Sequence, residues 1–100
     1  MLRSRKILRV GVKCMRKSYF YENSNLIFKN LRQLRKKNNL SQEALAAQMQ
    51  LLGVDIDQQL ISKIELNKRF VKDYELVCFC KIFNVTEKDL LADFYEQHGE

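Results

Sequence analysis

A chain of 100 residues with no proline, three glycines and 46% hydrophobic content holds one small core. That composition excludes a pair of ordinary domains, a turn-rich β-sandwich and a disordered linker. The net charge of +6 sits at one end: residues 1–25 carry Arg3, Arg5, Lys6, Arg9, Lys13, Arg16 and Lys17 against Glu22, whereas residues 26–100 balance eleven basic groups with eleven acidic ones. The global charge therefore says nothing about nucleic-acid binding by the domain, and a binding face there has to come from local clustering.

Residues 1–23 form a basic N-terminal arm in this reading. Its "KILRVGVKCM" suits a short strand, an ordered arm or nothing regular, and Met15 offers an alternative start. "ILRVGVKCM" is interrupted by Arg9 and Lys13, so it lacks the apolar stretch of a leader. No run approaches the ~18 apolar residues of a membrane span. Cys14, Cys78 and Cys80 are odd in number and show no C-x-x-C pair; Cys78 and Cys80 read as packing residues, and free thiols fit a reducing compartment. A soluble, cytoplasmic protein without a metal or other cofactor is expected.

The domain, residues 24–96, reads as all-α with five helices, followed by a short tail at 97–100. From about Ser24, Ile27, Leu31 and Leu34 fall at helical spacing, with Lys29, Arg32, Arg35, Lys36 and Lys37 on the remaining surface. "KNN" at 37–39 closes that helix, because asparagine tolerates the left-handed conformation. Ser41 caps a second helix, "QEALAAQMQLL", with Leu45, Ala46, Met49 and Leu52 inward, Glu43 in the first turn and Gly53 at the end. Asp57 caps a third helix over 58–66, which Asn67 stops. A fourth, from about Lys72 to Asn84, buries Leu76, Phe79, Ile82 and Phe83. Thr86 with Asp89 is a capping-box signature for a fifth helix, "EKDLLADFY".

The third helix carries the functional signal. At 100° per residue Leu60, Ile61 and Ile64 define its buried face, while Gln59, Ser62, Lys63 and Leu66 lie opposite, with Gln58 and Glu65 at the borders. A glutamine amide can donate to adenine N7 while accepting from its N6 amine, a contact that discriminates by roughly 1–3 kcal/mol. Polar residues on an exposed helix face are more often plain solvated surface. Their setting decides between the two readings.

That setting resembles a known family. "LRQLRKKNNLSQEALA", "ISKIELNKR" and "YELVCFCKIFNVTEKDLL" are similar, in this order, to the helix-turn-helix domain of the phage repressor (Cro/repressor, Xre-like) family over about residues 26–92. The resemblance implies a base-reading role for Gln58, Gln59 and Ser62, and phosphate contacts from Gln42, Lys63, Lys68 and Arg69. It further implies an ion pair between Arg35 and Glu65, so that Glu65→Ala would weaken DNA binding only by destabilising the fold. Two departures stand out. "AQMQLLGVDIDQQL" spans fourteen residues where the family has about nine, which would lengthen the second helix or the turn and tilt the third helix or add a lobe. Asn67 also replaces the family's frequent glycine.

The expected function is sequence-specific binding of double-stranded DNA by a homodimeric transcriptional regulator, most simply a repressor. Phe94 and Tyr95, or Tyr19, Phe20 and Tyr21, are the dimer candidates. The alternative is a protein-interaction module on the same fold, such as an antitoxin or a partner that sequesters another regulator. An enzyme is not expected: there is no nucleophile–base pair, no phosphate-cradling glycine loop and no metal set, and the lone His98 lies at the terminus.

Overall fold

A computed structural model of the protein describes residues 23–98. The expected basic arm lies outside the described residues apart from Asn23, as do Cys14, the Tyr19–Phe20–Tyr21 cluster and the last two positions of the tail. All regular structure among the described residues is helical: α1 Phe28–Lys37, α2 Gln42–Leu51, α3 Gln58–Glu65, α4 Asp73–Phe83, α5 Glu87–Leu90 and α6 Ala92–His98. Six helices stand where five are expected, because the last breaks at Leu91 into α5 and α6.

Local chemistry accounts for most boundaries. Ser41 Oγ accepts the Ala44 N–H at 3.0 Å, and Asp57 Oδ1 accepts the Leu60 N–H at 2.9 Å. Thr86 and Asp89 exchange reciprocal bonds of 3.1 and 3.0 Å, so each satisfies a backbone donor that the helix leaves open. The Thr86 N–H, and after it the Thr86 hydroxyl, hold the Asp89 carboxyl below its usual range. Asn39, Asn67 and Asn84 take the left-handed conformation, with φ of 59°, 61° and 55°.

α3 packs between α1 and α2, and α4 closes over both of those helices. Ile27 and Leu31 meet Leu45, Ala46, Met49, Ile61, Ile64, Phe79, Cys80, Phe83 and Leu90 in one core. Burial of each large side chain contributes about 1.5–3 kcal/mol, which sets α3 firmly by its Ile61–Ile64 face. Leu60, Leu76 and Ile82 cover the edge of this core rather than its centre. Burial pushes the Cys80 thiol up to about 11, helped by the charges of Glu87 and Asp89, so the group stays neutral and inert.

The long α2–α3 connection neither extends α2 far nor builds a lobe. α2 stops at Leu51, and the chain turns at Gly53 with φ of 89°. It then continues with Val54 and Ile56 buried and Asp55 outward. Gln50 Nε2 donates to Ile56 O at 2.8 Å and pins the segment along its helix. Leu52, expected inward, is instead exposed at the end of α2, its place in the core taken by Val54 and Ile56.

A polar fastening holds the start of the domain to the end of α3. Asn25, buried, donates to Ile64 O and Arg69 O at 3.0 Å each and accepts from the Ile27 N–H. The Asn67 carboxamide accepts the N–H groups of Ser24 and Asn25 at 2.8 and 3.2 Å and donates to Asn23 Oδ1 at 2.7 Å. An asparagine at this left-handed position therefore does what the family's glycine cannot.

Candidate nucleic-acid interface

Burying Ile61 and Ile64 turns the other side of α3 toward solvent, and its first residues come to lie beside the start of α2. Arg35 clasps Glu65 with two bonds, Nε to Oε2 at 2.7 Å and Nη2 to Oε1 at 3.0 Å, and its Nη1 donates to Leu40 O. The pair is largely buried, with side-chain exposure of 11% and 3%. Glu65 raises the Arg35 pKa by hydrogen bond and by charge against an opposing effect of burial. Glu65 Oε1 also accepts from Gln42 Nε2 at 3.0 Å, and Gln42 Oε1 accepts from Gln58 Nε2 at 2.7 Å.

This chain of bonds dictates how each amide points. A carboxylate only accepts, so Gln42 must turn its NH₂ to Glu65 and its carbonyl to Gln58. Gln58 must then donate. Its own carbonyl oxygen and its second N–H remain for an outside partner, which is the acceptor–donor pair that adenine requires in the major groove. Gln42, expected on a phosphate, thus spends both ends of its amide inside the protein, although the N–H groups at the α2 N-terminus stay close by. Glu65 is likewise more than a structural partner of Arg35, since it orients the two glutamines.

Arg32, Arg35, Gln42, Ser62, Glu65 and Leu66 line one shallow crevice of about 130 Å³. Ser62 therefore joins Gln42 and Gln58 on a single surface, while Gln59 and Lys63 lie one turn apart on the exposed side of α3. Lys68 is exposed beyond the helix.

Arg69, expected on a phosphate, is paired inside the protein. Its Nη1 and Nη2 close onto Glu75 Oε1 and Oε2 at 3.0 and 3.1 Å, with side-chain exposure of 20% and 2%. A bidentate pair with a buried carboxylate holds an arginine far more firmly than water does. Burial pushes the Glu75 carboxyl up, but the Arg69 guanidinium, the Lys72 N–H and the nearby positive charges outweigh it and hold the group below its ordinary value.

The chain matches a family model described as a helix-turn-helix domain, over residues 29–96. The chain belongs to that family. No curated protein and no solved structure gives a significant match. In this helix-turn-helix domain, of the Cro/repressor, Xre-like type, α2 and α3 are the two helices of the motif, and the crevice opens between α1, the start of α2 and the second half of α3. The family is a DNA-binding one and not an enzyme family. No helix among the described residues is long and apolar enough to cross a membrane.

Two parts of this helix-turn-helix surface escape a reading of residues in order. Arg32 sits on α1, yet lines the same crevice as Gln42 and Ser62. Glu75 lies on α4 and pairs with Arg69. No local signal in the sequence points to the first of these or to the second. The dimer candidates Phe94 and Tyr95 are half-buried, edge-to-face on each other with centroids 5.5 Å apart, and Lys88 Nζ stands 5.2 Å over the Tyr95 ring.

Proposed function

We propose that this protein is a sequence-specific regulator of transcription, most simply a cytoplasmic repressor, that binds double-stranded DNA as a homodimer with α3 in the major groove. What supports the reading above all is the relay from Arg35 through Glu65 and Gln42 to Gln58. It orients an amide at the tip of α3 before any ligand arrives, and orientation set in advance lowers the entropy lost on binding. Gln58, Gln59 and Ser62 read base edges; Lys63 and Lys68 take phosphates. One helix of eight residues spans too few base pairs for useful specificity, so two copies on half-sites about 10 bp apart are required.

A different surface favours a second reading, a protein-interaction module. Leu51, 87% exposed, and Leu52 border an open crevice of about 520 Å³ with Gln48, Lys81 and Ile82. An apolar rim of this kind suits a protein partner.

Selection of duplexes from a random library by the full chain separates the two. A two-fold symmetric motif containing adenine, with affinity lost in Gln59→Ala, supports the regulator. No enriched motif, with a protein partner held at salt-insensitive affinity, overturns it.

A further inference from the structure

α1 carries Lys29, Arg32, Arg35, Lys36 and Lys37 and no acidic residue. Arg32, Arg35, Lys36 and Lys37 divide between two flanks, and Lys29 points outward, about 160° from Leu31. Leu31 is fully buried and marks the inward line of the helix. With about 100° per residue, Arg35, Arg32 and Lys36 follow on one side at about 40°, 100° and 140° from Leu31. Asn30 and Lys37 fall on the other side, about 100° and 120° the opposite way.

The packing agrees with that division. Arg35 reaches Glu65 of α3, and Arg32 lines the crevice with Gln42 and Ser62. On the far flank Asn30 Nδ2 donates to Leu90 O at 3.0 Å, and Asn30, Gln33 and Lys37 line a separate hollow with Val85 and Asp89. Lys36 lies one turn beyond Arg32 on the crevice flank and is exposed. Among the described residues neither Arg32 nor Lys36 forms an ion pair; the two pairs present there use Arg35 and Arg69.

The geometry points to the Arg32–Lys36 edge of α1 as a second DNA-contacting surface, which grips the sugar-phosphate backbone beside the groove that α3 enters. The inference rests on the reading of α3 as the DNA-facing helix. It replaces Arg69, closed onto Glu75, with cations outside the two-helix motif. These contacts position the domain and carry no sequence information. Lys37, with the same charge on the same helix, faces away and takes no part.

The test is a salt titration of the full chain on its best selected duplex, with log affinity plotted against log salt. A cation that no longer neutralises its phosphate lowers the slope by about 0.9. Arg32→Gln and Lys36→Gln each lower it by about that amount, the double variant by about twice as much, and the selected motif is unchanged. Arg32→Lys restores the slope, since a point charge suffices for a phosphate. Lys37→Gln leaves it as in the parent. Melting curves on each variant show that the fold is intact.

An unchanged slope in the folded double variant overturns the proposal, as does an equal fall in Lys37→Gln, which would trace the effect to net charge alone. The reading of α3 fails differently, through Gln59→Ala and a missing motif. Slopes measured on any duplex still compare the two flanks of α1.

Discussion

Two ion pairs at the C-terminal end of α3 use the same chemistry and are put to different uses. Arg35 grips Glu65, the last residue of α3, and Arg69, just beyond the helix, grips Glu75; each pair has two hydrogen bonds and a carboxylate almost removed from water. Glu75 spends its remaining capacity on the Lys72 N–H, so that pair ends in backbone and acts as a brace. Glu65 spends its own on Gln42, and through it on Gln58, so that pair opens onto the surface. A buried ion pair by itself is weak evidence of function. What its leftover lone pairs bind tells the two apart.

The largest expected effect breaks each pair in turn. Glu75→Ala leaves a buried guanidinium without its counter-charge and costs about 3 kcal/mol, read as a fall in the urea midpoint. Glu65→Ala costs a similar amount, about 3 kcal/mol, but differs in its effect on DNA. The folded Glu65→Ala domain loses base discrimination beyond what its stability explains, whereas the folded Glu75→Ala domain keeps it. Equal discrimination in the two would remove the distinction between brace and site.

Acid sharpens the same contrast. The Glu75 carboxyl is held below its ordinary value of 4.5 in the folded protein, so the folded state favours the charged form. Its contribution is complete above that ordinary value and is lost as pH falls toward the lower folded value. Unfolding followed downward from about pH 5 should show a shallower loss of stability in Glu75→Gln than in the parent chain. A parallel loss in both would mean that other carboxylates govern the acid limb.

Changes to the relay itself come next. Gln58→Ala relaxes the preference at one base pair by about 1–3 kcal/mol. Gln42→Ala loses part of that preference at the same position, because Gln58 remains but its amide is no longer turned outward. Competition binding with duplexes altered at single positions measures both. A shift at a different base pair in Gln42→Ala would show that Gln42 contacts DNA on its own account.

The smallest effect concerns the fastening at Asn67. Asn67→Gly suits the left-handed backbone better, by about 1 kcal/mol, but deletes the bonds to Asn23, Ser24 and Asn25. At about 1 kcal/mol net per bond the balance is a modest fall in melting temperature. A rise would mean that the backbone conformation alone matters at this position.

How much of this was legible in order along the chain depends on the range of the forces involved. Ser41, Asp57, Thr86 and the asparagines at 39, 67 and 84 act on backbone groups within a few residues, and the helix limits they imply are close to those observed. Ile61, Ile64, Phe79 and Phe83 declare themselves by spacing. Leu52 misleads because a helix that ends one residue early turns its last side chain outward, and Val54 and Ile56 supply the core instead. Arg69 misleads because its partner lies on another helix, where no periodicity of α3 can show it. Gln42 keeps its place beside Gln58, but its partners Glu65 and Gln58 come from a helix that is distant in sequence and near only in space.

The sequence by itself determined an all-helical domain, most of its helix starts and stops, the buried face of α3 and the row of polar residues opposite, because these depend on short-range backbone chemistry and hydrophobic period. Only the tertiary structure decided which carboxylate each of Arg35 and Arg69 pairs with, how the amides of Gln42 and Gln58 point, and which flank of α1 lies beside the polar face of α3. Those properties depend on which charges share a low-dielectric contact after packing. Identical residue types then acquire different roles from their neighbours in space.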